Sequence, residues 1–373
     1  MFDATFQSVD LAAVLGTAQR IVNSKPTIPV LGNVLLKTSE NGDGLILSAT
    51  DTEIGLRAKI KATSVSPGET TISARLLNDL VRSLPPTSVR LLVLSPESVT
   101  ITAAGFKGKL PTLPTEDFPI LPVLPSTNGL CVLPRSEFRD ALTRTKFAVT
   151  ADDTRYYLNG VKIEPTTGSV RLVSTDAHRL SICDADRQGE SLGADSILPR
   201  KTVEALYSML ENATVETVEY LRAENHIFFV VGESLLISRL IDGVYPDYVR
   251  IIPPPADHQA QIDRVAFLST LRRIATLVDP TTQMVKFSLS TNSLKVSTNN
   301  SSVGNGGEEI VVTYDGAPVD VGLRVSYAID FLDVAGTPAV SLGIVSPQKG
   351  ISFLALGGPV SYRYIVMPMA LKD

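Results

Sequence analysis

Leu45-Ile46-Leu47-Ser48-Ala49-Thr50-Asp51, Arg171-Leu172-Val173-Ser174-Thr175-Asp176 and Leu294-Lys295-Val296-Ser297-Thr298-Asn299 are three versions of one short strand that ends in Asp or Asn. Their last residues lie 125 and 123 positions apart. A second marker comes later in each stretch: Thr70–Leu84, Ser196–Leu210 and Gly322–Gly336, which align Ala74, Pro199 and Ser326 at offsets of 125 and 127. A third is an apolar residue before proline, in Phe118-Pro119, Tyr245-Pro246 and Met367-Pro368. Three different markers with one period mean tandem copies of a single domain.

Outward from these markers, each copy reads alike. It opens with apolar residues at helical spacing, such as Leu11, Val14, Leu15, Ala18 and Val22. Short strands come next, then a second helix, then alternating strands such as Ile227–Val231 and Leu235–Leu240 around Gly232-Glu233-Ser234. The predicted helices are 9–25, 75–86, 134–147, 199–212, 262–277 and 326–336. The expected fold class is α+β, with three domains of antiparallel sheet and two helices each, the helices on one face. Pro-rich linkers at Leu121–Gly129 and Pro253–His258 place the domains at 1–127, 128–256 and 257–373. Asn299–Gly307 reads as a flexible loop; it lacks the Lys-Ser/Thr and the helix that a phosphate loop needs.

Composition narrows the function. At 44% hydrophobic and 20% charged, the 373 residues can build several ordinary cores. No run of 18 apolar residues occurs, and the opening Met1–Asp10 lacks the basic and apolar regions of a signal peptide. Cys131 and Cys183 have neither metal-ligand nor disulfide spacing and read as small core residues of a cytoplasmic protein. His178, His226 and His258 form no cluster, and no hydrolase, metalloprotease or nucleotide-loop motif is present. The expectation is therefore no enzyme, no cofactor and no metal site.

Net charge is -5, which by itself opposes binding to nucleic acid. Its distribution is uneven. The six helix segments hold 13 Lys or Arg against 9 Asp or Glu, a net of +4, leaving -9 for the rest. A basic lining within an acidic rim would draw a polyanion inward. Basic residues are also common on exposed helix faces, and composition does not choose between the two readings.

The most distinctive motifs are Arg155-Tyr156-Tyr157-Leu158-Asn159-Gly160, Ser174-Thr175-Asp176-Ala177-His178-Arg179-Leu180, Asp242-Gly243-Val244-Tyr245-Pro246-Asp247-Tyr248, the tail Val366-Met367-Pro368-Met369-Ala370-Leu371, and Pro26–Asn33 in the first copy. In type and order they resemble the bacterial DNA polymerase III beta subunit, the sliding clamp, over nearly the whole chain. The resemblance implies a head-to-tail homodimeric ring that encircles duplex DNA without reading sequence, and has neither catalytic residues nor cofactor. It implies docking of the replicative polymerase, the clamp loader and repair proteins through short peptides. The pocket it implies, between the second and third domains, would use Leu158, Thr175, His178, Arg179, Leu180, Pro246, Arg250, Ile251, Ile365, Met367, Pro368 and Met369. Met, Leu, Ile and Pro would form an adaptable apolar cleft, with His178, Arg179 and Arg250 at its rim. For DNA it implies Lys25, Arg75, Arg82, Arg200, Lys201 and the Tyr156-Tyr157 loop.

Size agrees with two chains per ring. A domain of this length has a radius of gyration of roughly 14 Å; as touching spheres, three would enclose a hole of about 5 Å and six one of about 36 Å. Only the larger passes a duplex. This chain departs from the family pattern at Lys25 for arginine, Ala177 for glycine and Ala370 for arginine, and it places Asp152-Asp153 in a loop expected near DNA. A scaffold of the same fold that binds peptides without encircling DNA is the alternative; salt-dependent loading onto circular DNA separates the two.

Overall fold

The computed structural model describes every residue except 1, 24, 40, 126–129, 151, 189–193, 301–303, 359–361 and 372–373. Six α-helices are present among these: α1 (Ser8–Ile21), α2 (Ala74–Ser83), α3 (Arg135–Thr145), α4 (Arg200–Asn212), α5 (Arg264–Ile274) and α6 (Val325–Val334). Each repeat runs strand, helix, four strands, helix, three strands; the first repeat adds a short strand, Ser64–Ser66. All six predicted helices are found. The second helix of each copy starts at 74, 200 and 325, so the true period at that marker is 126 and 125. Helix α1 stops at Ile21, which leaves Lys25 beyond its end.

Local chemistry explains these boundaries. Ser73 caps α2 by accepting from Leu76 N, and Asp263 caps α5 by accepting from Ala266 N at 2.7 Å. On α1, Leu11, Leu15, Ala18 and Ile21 are fully buried, one stripe at helical spacing. A repeat signature lies hidden in the first helix of each copy. Ser8 N, Arg135 N and Arg264 N donate to the carbonyls of Thr87, Glu216 and Pro338 at 2.9, 2.8 and 2.9 Å, just past the second helix. In the second and third copies the arginine also reaches that helix's last carbonyls: Arg135 to Leu210 at 2.8 Å, Arg264 to Leu332 at 3.0 Å. Cationic donors satisfy orphan carbonyls there.

By contacts the chain divides into two compact units, and the middle repeat is shared between them. Unit 1 comprises Met1–Arg139, Pro165–Ser169 and Asp186–Asp242. Its five-stranded sheet has the order Ser64–Ser66, Phe2–Gln7, Ser88–Ser95, Ser98–Ala103, Phe106–Pro111. Its other sheet runs Cys131–Pro134, Thr217–Ala223, His226–Val231, Ser234–Arg239, Ile54–Lys61, Gly44–Thr50, Asn33–Thr38, Glu69–Ser73. Antiparallel pairing of Ser234–Ser238 with Ile54–Ala58 makes this one sheet from two repeats. Helices α1, α2 and α4 pack together, with Asn78 donating to Gln19 at 3.0 Å.

Unit 2 comprises Asp140–Glu164, Val170–Ala185 and Gly243–Asp373. Here the sheet order is Gly160–Pro165, Ser169–Thr175, Arg179–Asp186, Arg363–Val366, Ile351–Leu356, Ala339–Gly343, Gln259–Asp263, and Arg179–Ile182 pairs with Arg363–Val366 to join two repeats again. A four-stranded sheet runs Gly304–Val311, Ser293–Asn300, Met284–Ser290, Val319–Arg324. This corrects the flexible loop expected at Asn299–Gly307. Its described residues belong to two strands paired from Ser293↔Val311 to Asn300↔Gly304. The Asn, Ser and Gly run misled because a hairpin also concentrates turn residues.

Candidate functional site

The repeated strand Ser169–Thr175 ends in a tight turn that positions His178. Asp176 Oδ1 accepts from His178 N at 2.9 Å and from Arg179 N at 3.0 Å. Thr175 Oγ1 accepts from Ala177 N at 3.0 Å and donates to Arg179 O. Ala177 sits at φ +73°, in the left-handed region where glycine is at ease. That accounts for the glycine which the family pattern has at this position.

The C-terminal tail is stitched to this turn through its backbone. Met367 N donates to His178 O at 2.8 Å, and Met369 N donates to Gly322 O at 2.7 Å. A Cβ at Gly322 would come within 2.7 Å of Met369 O, so only glycine allows the tail this close. Met367, Pro368 and Met369 thereby line a cavity of about 300 Å³ with His178, Thr281, Thr282, Arg324 and Tyr327. That volume lies at the small end of the usual range for ligand pockets. Beside it, Ile251, Ile365 and Met367 gather around Gly350, where a Cβ would meet Ile365 Cγ2 at 2.7 Å.

The twelve predicted pocket residues therefore fall into groups. His178, Met367, Pro368 and Met369 line the cavity. Leu158, Thr175, Leu180 and Ile365 are buried and outside the lining, with Leu180 paired to Ile365 across the sheet. Pro246 and Arg250 are exposed and lie outside the cavity lining; Arg250 pairs with Asp247 at 2.8 Å. Arg179 is not a rim residue. Its side chain is 10% exposed, donates to Asp176 Oδ2 at 3.0 Å, to Asp330 at 2.5 Å and to Phe147 O at 2.7 Å, and lies 4.5 Å from the Tyr327 ring centroid. Burial opposes its charge, yet Tyr364, Asp330 and Asp176 carry its pKa above the ordinary arginine value. Every face of the guanidinium is engaged, so Arg179 positions the pocket wall from behind. Tyr327 has its pKa raised, by burial first and by Asp176 next. Thr281, Thr282, Arg324 and Tyr327 went unrecognised in the sequence: Thr281 and Thr282 belong to no motif, and Arg324 and Tyr327 lie in the Gly322–Gly336 marker, where they read as the end of a strand and the start of a helix.

The residues assigned to DNA are surface groups. In unit 1, Lys25, Arg75, Arg82 and Arg200 are exposed; Arg75 and Arg200 pair one turn on with Asp79 and Glu204. Such pairs are weak and exchange readily for phosphate. Lys201 is engaged more firmly, by Asp51 Oδ2 at 2.5 Å and Asn23 Oδ1 at 3.1 Å. In unit 2, Tyr156 and Tyr157 lie on the short helical turn Asp153–Leu158, their rings edge-on at 5.7 Å, and Tyr156 is 56% exposed. Asp152 caps this turn and pairs with Arg155 at 3.1 Å, so its charge is compensated locally; its carboxyl is held below the ordinary range, chiefly by Thr154 and then by Arg155. The Asp153 side chain lies outside the described residues.

Three family models match in succession: the DNA polymerase III beta subunit N-terminal domain at residues 4–122, its central domain at 132–247 and its C-terminal domain at 249–370. The chain belongs to the DNA polymerase III beta subunit family. It is 33% identical to the beta sliding clamp of Pseudomonas putida over 369 residues, covering 98% of this chain and 99% of that one. It is 31% identical to the Escherichia coli K12 beta sliding clamp over 94% of both. A crystal structure of the Pseudomonas aeruginosa sliding clamp bound to griselimycin superposes with a TM-score of 0.91 at 32% identity, covering 99% of this chain and all of that one. Members of this family are non-catalytic processivity factors built from three tandem clamp domains. No described helix of this clamp is long and apolar enough to cross a membrane.

Proposed function

We propose that this clamp acts in the cytoplasm as a head-to-tail homodimeric ring around duplex DNA, with domains at 1–127, 128–256 and 257–373. It docks polymerase, clamp loader and repair proteins by short peptides in the cavity between the His178 turn and the Met367-Pro368-Met369 tail. The observation that carries this reading is the cavity itself, whose floor is the tail held by the Met367 and Met369 backbone bonds. Ring closure is supported by two strands at sheet edges. Phe106–Pro111 carries Lys107 and Lys109, and Gly304–Val311 carries the exposed Glu309; Phe106 and Val311 are 40% and 88% exposed. Paired between two copies, they remove exposed edges and match charge. Arg75 on α2 and Arg200 on α4, paired only weakly, suit phosphate contacts that form and break during sliding.

Mass in solution over a dilution series tests the ring. A species near twice 40.0 kDa that persists on dilution, and that loads onto circular DNA in a salt-dependent way, is expected. A strict monomer would leave the pocket but remove the ring, and the peptide-binding scaffold would take its place.

A further inference from the structure

The linker after the first domain carries a pattern that neither the docking cavity nor the DNA residues use. Phe118-Pro119-Ile120 and Leu121-Pro122-Val123 are one triplet written twice, and Leu124-Pro125 begins it again. Burial follows the same period of three. Phe118 and Leu121 are 7% and 6% exposed and Leu124 is half-buried, whereas Ile120 and Val123 are 97% and 69% exposed and Pro122 and Pro125 are exposed. Three residues per turn is the polyproline II helix. Proline enforces it by fixing its own φ and pushing the residue before it to extended backbone. Phe118 enters with φ -77° and ψ 127°, and Pro119–Pro125 lies outside helix and strand with no backbone hydrogen bond among the described residues. Leu121 packs on Phe228 and Ile237, with Leu124 and Leu235 beside them, and a Cβ at Gly55 would come within 2.8 Å of it. Phe229, next along the strand, points to the other side of the sheet, its ring 6.1 Å from Phe138 of α3. The segment thus lies on the sheet face turned away from α3, with one edge fixed and two edges free.

We propose that Pro119–Pro125 is a preformed polyproline II ligand for a second protein, one whose groove is lined by aromatic rings and rimmed at one end by basic residues. The Pro119-Ile120 and Pro122-Val123 pairs enter that groove, and the third edge, which a groove leaves alone, is the one held by the sheet. At 3.1 Å per residue the segment is about 19 Å long, two full turns. Its order is in place before the partner arrives, which lowers the entropic cost of binding. Charge sets the direction. Glu116 and Asp117, in the turn just before the segment, are exposed and in no ion pair among the described residues, so they match a cationic rim at that end. In this contact the clamp supplies the short segment and the partner the pocket, the reverse of the roles at the docking cavity.

The test uses the full-length protein as the immobilised target. The probe is a display library of SH3 and WW domains with randomised residues at the groove rim. Selected domains are purified and titrated by interferometry against the wild type, P119A/P122A/P125A, I120D/V123D and E116Q/D117Q. Lys or Arg should be enriched at the rim. The proline and apolar variants should each bind about tenfold more weakly, and the charge variant about threefold. The clamp contains no Trp, so Trp emission belongs to the added domain, and its shift on binding reports the aromatic groove directly. Equal affinity for all four proteins, or a selection that yields no binder, overturns the proposal. Light scattering on the clamp alone guards against a second occupant. A wild type heavier than I120D/V123D would mean that another copy of the chain covers the segment, and the proposal fails. If the proline variant melts early, I120D/V123D decides, because both of its side chains lie outside the core.

Discussion

The turns after the repeated strand in the first and second domains are built alike and do different things. In both, an Asp Oδ1 accepts two backbone N–H groups: Glu53 and Ile54 at 3.0 and 2.8 Å for Asp51, His178 and Arg179 at 2.9 and 3.0 Å for Asp176. In both, the preceding Thr hydroxyl accepts from the residue two positions on and donates to the carbonyl four positions on. In both, the residue after the Asp is left-handed, Thr52 at +81° and Ala177 at +73°. The two diverge in the residues that leave the turn. The first turn leads into Ile54, which is buried, and Asp51 holds Lys201. The second leads into Arg179, which holds Asp330 and Phe147 O, and its His178 carbonyl receives the tail. Duplication conserved the backbone device; substitution around it made one copy a docking platform.

The largest effect should come from removing what only the second turn carries. Deleting Met367–Asp373 takes away the cavity floor and frees the His178 carbonyl. Peptide binding should fall below detection while the dimer mass stays unchanged. Both readouts come from one sample, by calorimetry and light scattering. Loss of the dimer instead would make the tail a structural strap and would move the docking site elsewhere.

A matched pair of substitutions sharpens the comparison further. Asp51→Ala and Asp176→Ala each leave two backbone donors and one cation without their carboxylate. Each should cost about 2–4 kcal/mol of stability, read by urea unfolding. Only Asp176→Ala should also weaken peptide binding, because Arg179 then loses one of its two anions and the wall behind Tyr327 is released. Equal losses of affinity in both variants would show that the effect travels through global stability and not through the turn.

The same two turns mark how far the sequence is legible. Asp51 and Asp176 stand out because strand alternation and a fixed period leave them in register; the three-domain α+β plan and all six helices rest on signals of that kind. The strands at Asn299–Gly307 stay hidden, because a hairpin written in Asn, Ser and Gly has no apolar alternation to reveal them. Side-chain destinations are harder still. Arg179 and Arg324 look equally able to face a ligand in the sequence. One is enclosed by Asp176, Asp330 and two aromatic rings, and the other is left facing a cavity, through contacts spanning up to 151 positions. No local pattern encodes such a distinction.

The smallest expected effect concerns the left-handed residue itself. Thr52 and Ala177 both carry a Cβ in a conformation that costs an L-residue about 1–2 kcal/mol, and Thr52 is β-branched, which makes its case worse. Glycine relieves that strain but returns about 0.4–1 kcal/mol to the unfolded chain as entropy. Thr52→Gly and Ala177→Gly should therefore each stabilise by less than about 1 kcal/mol, with Thr52→Gly the larger. Differential scanning calorimetry resolves this as a rise in Tm. Peptide affinity adds the discriminating readout. Thr52 is not among the residues that line the docking cavity, so Thr52→Gly should bind peptide like the parent. Ala177→Gly loosens the backbone that presents the His178 carbonyl to Met367, and a modest loss of affinity should accompany its gain in stability. If Ala177→Gly instead stabilises and binds unchanged, the turn is rigid through its Asp176 and Thr175 hydrogen bonds alone, and the left-handed residue contributes strain without contributing placement.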